Sequence, residues 1–289
     1  MVLITPHISK FINLNQEGAI MNNAICLNSN TYHGFTLEEA VEGAHKAGIH
    51  LIELAGVIGW TEHVKNDFSE AEIAKVLDLL KANEIHAIGM CGHTNIMTED
   101  GRVAFKKNLQ LASRLGVKYV TLSTGETHGD VSVIEDDTEL VAILKDLGAI
   151  ANDLGLMLAI ETHGNNYGTG ERIVELLKKV GADNVHLNYD TGNVVFYGAI
   201  EPYDDLNSST DSIVGIHLKE KAGAQNEWNF PAIGRGDLDF SRIFSILKKN
   251  GCTAPLSIEI EFTPAGPKNV DEVHESLAYS VDTIRRLSA

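Results

Sequence analysis

"LMLAIETHGNNYGTGERIVELLKKVGADNVHLNYD", residues 156–190, holds one complete repeat of the fold. Residues 156–161 and 185–190 are apolar runs of strand length, and Thr169 is placed to cap a helix beginning near residue 170. Runs that are apolar on both faces belong to a parallel sheet covered by helices. The same stretch raises a chemical question. Its first strand ends in Glu161, followed by His163, and an ionised carboxylate at the end of a buried strand needs either water or a cation.

Outward from this repeat the pattern continues in both directions. Further apolar runs lie at 24–28 (AICLN), 50–55 (HLIELA), 86–91 (HAIGMC), 118–123 (KYVTLS), 213–219 (IVGIHLK) and 256–262 (LSIEIEF). Segments of helical periodicity alternate with them. In 36–48, residues Leu37, Ala40, Val41, Ala44 and Ala47 share one face, and Gly48 suits the C-terminal end. Residues 105–116, 137–155 and 241–251 likewise close on glycine, and 270–287 forms a final helix. Eight strands alternating with helices indicate a single (β/α)8 TIM barrel over residues 24–289. The helix at 200–211 is the weakest element. Residues 1–23 stand outside the rhythm and read as an N-terminal extension; they lack the charged start and apolar run of a signal peptide.

The bulk composition narrows the partners. A formal net charge of −17 opposes nucleic acid and anionic membrane surfaces over most of the exterior. No stretch approaches the ~18–20 apolar residues of a membrane span. Cys26, Cys91 and Cys252 are far apart in apolar runs, which suits reduced thiols in a cytoplasmic protein. Self-association into a homo-oligomer is left open.

In such a barrel the active site lies at the C-terminal ends of the strands. Those ends carry Asn28, Glu53, His93, Thr124, Glu161 with His163, Asp190 with Asn193, His217 with Lys219, and Glu259 with Glu261. The last four strands each supply an acid or a histidine at nearly one depth. Three carboxylates and one imidazole form a hard donor set suited to one divalent ion (Mn²⁺, Co²⁺, Mg²⁺ or Zn²⁺). Lys219, Lys221, Arg235 and Lys268 are the cations near the last two strand ends that could bind a phosphate. "GTGER" (168–172) has no nucleotide-binding glycine pattern around it, so Thr169 is read as a helix cap.

At these residues the chain resembles the xylose isomerase-like TIM-barrel superfamily, the sugar phosphate isomerase/epimerase group. The resemblance is carried by "HKAGIHLIEL", "LAIETHG", "LNYDTGN", "GIHLKE", "AIGRGDLDF" and "LSIEIE" in this order, over about residues 24–287. It implies that Glu161, Asp190, His217 and Glu259 hold a divalent ion, with Glu259 preferred over Glu261 as the first acid after the apolar strand. It also implies a carbohydrate substrate and isomerisation or epimerisation by proton transfer next to a carbonyl, through an enediolate steadied by the ion. Glu161 and Glu259 would be the two bases. His93, His163, Asn193, Lys219 and Arg235 would contact the substrate.

The chain departs from two branches of that superfamily. Ketose 3-epimerases place a second glutamate six residues after the first, where this chain has Tyr167, and a histidine three after the aspartate, where it has Asn193. Apurinic endonucleases need that same histidine and an aspartate two residues before the later histidine, where Gly215 stands. Dehydration of the inosose type is the alternative expectation, and an endonuclease-like nuclease the remote one.

Overall fold

The computed structural model describes residues 23–125 and 134–288, so the expected extension lies outside the described residues except for Asn23. The first half runs β1 (Ile25–Asn28), α1 (Leu37–Lys46), β2 (Leu51–Ala55), α2 (Glu70–Ala82), β3 (His86–Cys91), α3 (Glu99–Leu115), β4 (Tyr119–Leu122) and α4 (Thr138–Asp153). The second half runs β5 (Met157–Glu161), α5 (Gly164–Tyr167), α6 (Gly170–Val180), β6 (Val185–Asp190), α7 (Thr191–Phe196) and α8 (Pro202–Ser209). It continues through β7 (Ile213–Leu218), α9 (Phe240–Lys249), β8 (Leu256–Ile258) and α10 (Val270–Leu287).

Each strand pairs in parallel with the next, and β8 closes on β1 through Ile25–Leu256, Cys26–Ser257 and Leu27–Ile258. The result is a closed eight-stranded (β/α)8 barrel. Local chemistry sets the helix ends. Thr36 and Glu39 cap α1 reciprocally, and Ser69 and Glu72 do the same for α2. Thr169 Oγ1 accepts from Arg172 N at 3.3 Å at the start of α6, as its position suggests. Gly116 and Gly181, at φ 74° and 63°, end α3 and α6 in the left-handed region that glycine enters without strain.

The weak helix expected at 200–211 appears as α8, short, with Tyr203 and Leu206 buried and Asp205 tied by polar bonds. Asp205 within it accepts from Gly170 N (2.8 Å) and Glu171 N (2.9 Å) at the start of α6, and from the Tyr189 hydroxyl (2.9 Å). The last strand is shorter than its apolar run. After Ile258 the Ile260 N–H bonds the Thr31 hydroxyl (3.0 Å), and Phe262 pairs with Phe230, so the chain turns off the barrel wall there.

The main core lies between sheet and helices. Leu27, Ile52, Leu54, Val120, Leu158, Ile160, Leu187, Ile216 and Ile258 are fully buried there. Each aliphatic side chain so buried contributes about 1.5–3 kcal/mol. Register then fixes the site: Asp190 pairs with His217, and His217 with Ser257, two residues before Glu259. Among the described residues, no helix is long and apolar enough to cross a membrane. Cys26 and Cys91 are buried and Cys252 half-buried, all as free thiols.

Candidate functional site

Glu161 and Asp190 are the last residues of β5 and β6, His217 is the fifth of β7, and Glu259 follows β8 directly. Barrel closure brings one donor atom from each within 4.8 Å of the others, a group that could hold a metal ion. All four residues are buried.

Each is held from behind. One Asp190 oxygen, Oδ1, accepts from Gly192 N (2.9 Å) and Asn193 N (2.8 Å) at the start of α7. Glu259 Oε1 accepts from Asn30 Nδ2 (2.9 Å) and Asn28 Nδ2 (3.2 Å). Glu161 Oε1 accepts from Asn193 Nδ2 (3.0 Å), while its Oε2 lies 2.9 Å from His93 Nε2. His217 turns Nδ1 toward the acids, 3.3 Å from Glu161 Oε1, 3.4 Å from Glu259 Oε2 and 3.9 Å from Asp190 Oδ2.

This arrangement fits a cation. Asp190 Oδ2 and Glu259 Oε2 are buried, yet accept no hydrogen bond among the described residues. Buried carboxylate oxygens are ordinarily satisfied, so two orphans aimed at one point mark a place for positive charge. The Lys219 ammonium supplies part of it from the side. Its Nζ lies 3.2 Å from Asp190 Oδ2, 3.0 Å from Glu259 Oε2 and 2.9 Å from Glu261 Oε2, without the angles of hydrogen bonds to the first two. Gly192 leaves room for this stem, since an added Cβ would lie 2.8 Å from Lys219 Cγ.

The electrostatics follow from this crowding. Burial pushes the Glu161 carboxyl up, but His217 and His93 outweigh it and hold it well below the usual carboxylate range. Burial likewise opposes ionisation of Glu259, and Lys219 and His217 reverse it. Burial drives Asp190 well above its ordinary value; Lys219 opposes this and the Glu161 and Glu259 charges add to it. Burial disfavours the charged forms of His217 and Lys219, and the surrounding acids overcome it and hold both well above their ordinary values.

Above the four donors opens a cavity of about 400 Å³. His93, His163, Asn193 and Lys219 line it together with Glu161, Glu259 and Glu261. The opposite wall comes from Val57, Ile58, Gly59 and Trp60 after β2 and from Thr94 and Asn95 after β3. Trp60 stacks on His33 there, with ring centroids 4.2 Å apart.

The structure does not bring Arg235 to this cavity. Its exposed guanidinium packs over the Tyr279 ring of α10, 4.3 Å from the centroid, because the loop after β7 folds back on that helix. Lys221 is also diverted, its Nζ donating to the carbonyls of Ala222 (2.6 Å) and Ala224 (2.7 Å), and Lys268 is exposed.

Three residues beneath and beside the site have parts that the sequence reading did not assign: Asn28 and Glu53, placed there only at strand ends, and Asn30, not singled out. Asn28 and Asn30 grip Glu259, and the signal was present as two amides in "LNSN" directly after an apolar strand. Glu53 is a fully buried acid within β2, 3.1 Å from His217 Nε2. Glu53, Cys91 and His217 form a second cluster of donors, in which burial and then the Glu53 charge push the Cys91 thiol up to about 12.

Comparison with known proteins agrees with this architecture. The family model described as xylose isomerase-like TIM barrel matches residues 41–280. The chain is 23% identical over 237 residues to the probable L-ribulose-5-phosphate 3-epimerase UlaE of Mycoplasma pneumoniae, covering 78% of this chain and 77% of that protein. It is 30% identical over 148 residues to the inosose dehydratase of Clostridium beijerinckii, covering 45% of this chain and 49% of the dehydratase, about half its length. The crystal structure of the IolI protein with a bound zinc atom superposes with a TM-score of 0.76 at 21% identity, covering 91% of this chain and 98% of that one, a likeness of fold. With five-sixths of its length under one family model and its barrel shared, the chain belongs to the xylose isomerase-like TIM-barrel family.

Proposed function

We propose that this protein is a divalent-metal-dependent sugar isomerase or epimerase, working by proton transfer at the carbon next to a carbonyl. The observation that carries this reading is the pair of orphaned oxygens, on Asp190 and Glu259, aimed with Glu161 and His217 into the base of a polar cavity. Relatives named as a sugar-phosphate 3-epimerase and an inosose dehydratase support the substrate class. The bound zinc in IolI supports a metal without choosing among Zn²⁺, Mn²⁺, Co²⁺ and Mg²⁺.

Glu161, Asp190, His217 and Glu259 would hold the ion, which supplies Lewis-acid polarisation of the carbonyl. Glu161 removes the proton from the adjacent carbon, with His93 against its second oxygen to orient it. Glu259, from the other side of the layer, returns a proton. Lys219 places positive charge where the substrate oxygen becomes anionic. His163 and Asn193 offer hydrogen bonds to substrate hydroxyls from the cavity wall. Dehydration is the second reading, favoured by the 30% identity to the dehydratase; it starts with the same proton removal and ends with loss of water.

The same geometry favours an uncharged, unphosphorylated substrate. Among the described residues lining the cavity, Lys219 is the only lysine or arginine, and it already faces three carboxylates. Four acids against one ammonium and a divalent ion leave no surplus for a phosphate dianion. A unit of uncompensated charge about 8 Å away costs roughly 2 kcal/mol, more than tenfold in affinity. Free keto-sugars are therefore expected to be preferred over their phosphate esters by at least about tenfold in kcat/KM. A preference for the esters would reverse this part of the reading, and the Mycoplasma relative's name makes them a necessary arm of the comparison.

The deciding experiment is incubation of metal-loaded protein in D₂O with ketoses, keto-sugars and inososes, read by NMR and mass. Deuterium gained next to the carbonyl is expected. Loss of water from the product would select the dehydratase reading. Transfer of substrate deuterium between carbons without wash-in would overturn proton transfer altogether.

A separate prediction distinguishes the two acids near β8. Glu259→Gln is expected to cost more metal affinity than the roughly 10–100-fold typical of losing an outer partner. Glu261→Gln is expected to leave one ion per chain bound, because Glu261 turns to Asn30 Nδ2 (3.1 Å) and Lys219. Metal analysis of the two purified variants checks this, and the opposite pattern would exchange their roles.

A further inference from the structure

We propose that Glu53 is the positioning residue of the metal site, holding His217 so that Nδ1 faces Glu161, Asp190 and Glu259. This inference rests on the proposed metal site but not on the identity of the substrate.

Glu53 is the third residue of β2, a strand whose five residues are all buried, and its own exposure is 0%. The pairing of β2 with β3 shifts register between Ile52 and Glu53, an irregularity of the kind that redirects a side chain. A carboxylate there is costly unless its oxygens are occupied. Both are. Oε2 faces His217 Nε2 at 3.1 Å and accepts from the Tyr119 hydroxyl at 3.4 Å. Oε1 accepts from the Thr121 hydroxyl at 3.3 Å and faces the Cys91 thiol at 3.8 Å.

These partners come from β3, β4 and β7, so the carboxylate is fixed from three sides beneath the site. It does not line the cavity and can act on a substrate only through His217. A neutral imidazole has one N–H and one lone pair, and the partner of one nitrogen decides what the other can do. With Nε2–H directed to Glu53, at 3.1 Å nearer than the Asn28 amide nitrogen at 3.4 Å, Nδ1, the nitrogen that faces the three acids, is the one left to give up its proton to a cation. A carboxylate behind the ring also makes it a better donor to a cation. Had Glu53 been apolar, either nitrogen could carry the proton, and the ring would lose its anchor.

NMR and metal titration of the wild type and of two variants test this. In wild-type protein loaded with Zn²⁺, ¹⁵N NMR of the histidines is expected to show His217 protonated at Nε2 with metal at Nδ1; metal at Nε2 would overturn the proposal without any variant. Titration of the metal-free protein with Zn²⁺ is expected to give one equivalent per chain. Glu53→Gln is expected to weaken that binding by about 10–100-fold and to move the His217 ring resonances. Glu53→Asp, which keeps the charge, is expected to recover part of the affinity, a rescue that a merely space-filling role would not give. Wild-type affinity and unchanged ring resonances in folded Glu53→Gln would overturn the assignment. Two equivalents in the wild type, falling to one in the variant, would make Glu53 a ligand instead. A wild-type protein that takes up no metal would overturn the metal site itself, an outcome the first titration separates from failure at Glu53.

Discussion

Glu161→Gln is expected to lower turnover by at least about 10²–10⁴-fold, the contribution of a general acid–base group, with further loss because the metal is disturbed. The substitution is nearly isosteric, yet the site does not accept it neutrally. Glu161 Oε1 accepts from Asn193 Nδ2 at 3.0 Å, and its Oε2 lies 2.9 Å from His93 Nε2 without the angle of a hydrogen bond. A glutamine has one acceptor oxygen, so its NH₂ would face one of these donors. Its neutral amide would also remove a charge that His217 and His93 are arranged to meet. Deuterium exchange into substrate in D₂O, beside metal content per chain, separates loss of the base from loss of the ion. Exchange at near wild-type rate in a metal-replete variant would remove Glu161 from the chemistry.

Lys219→Met is expected to destabilise the metal-free protein by about 3–5 kcal/mol, the cost of leaving buried charges without a partner. The ammonium is buried and stands within 3.2 Å of an oxygen on each of Asp190, Glu259 and Glu261. A methionine keeps most of the stem volume beside Gly192 and removes only the charge. The pH dependence has a definite sign. In the wild type Lys219 and His217 hold Glu259 below its unfolded value, so that stabilisation is present above the unfolded pKa and lost as pH falls through the folded one. Without Lys219 the acids can relieve their repulsion by taking protons. The deficit should thus be largest at neutral pH and shrink on acidification. A divalent ion should recover part of it by replacing the missing charge. Urea unfolding at two pH values, with and without metal, reads all three effects; equal stability of variant and wild type at neutral pH would contradict them.

The barrel was legible because its strands are apolar on both faces and its helices are stopped by glycine, signals that need no knowledge of distant partners. The positions of Glu161, Asp190, His217 and Glu259 were legible for a related reason. Once strands are parallel and in sequence order, their ends share a layer, and the structure does bring these four together. What escaped depended on the third dimension. Glu53 and His217 are 164 residues apart, and their contact exists only because the barrel closes. Arg235 stands in a loop that packs its guanidinium over Tyr279, a contact 44 residues away that its own neighbourhood does not announce. The end of β8 was hidden because 256–262 keeps its alternation past the point where Thr31 and Phe230 take over its hydrogen bonds.

The two walls of the cavity have separate histories open to them. Glu161, Asp190, His217 and Glu259 come from β5 to β8, whereas the facing segment Val57–Trp60 belongs to the first half of the chain and, among the described residues, adds no donor to that group. Mutations that reshape that segment can change which molecule is admitted while the donors stay intact. A gene for such a barrel can thus drift between substrates by rewriting a few codons after its second strand. Its reactive half can be inherited unchanged, so a single family can accumulate members with different trades.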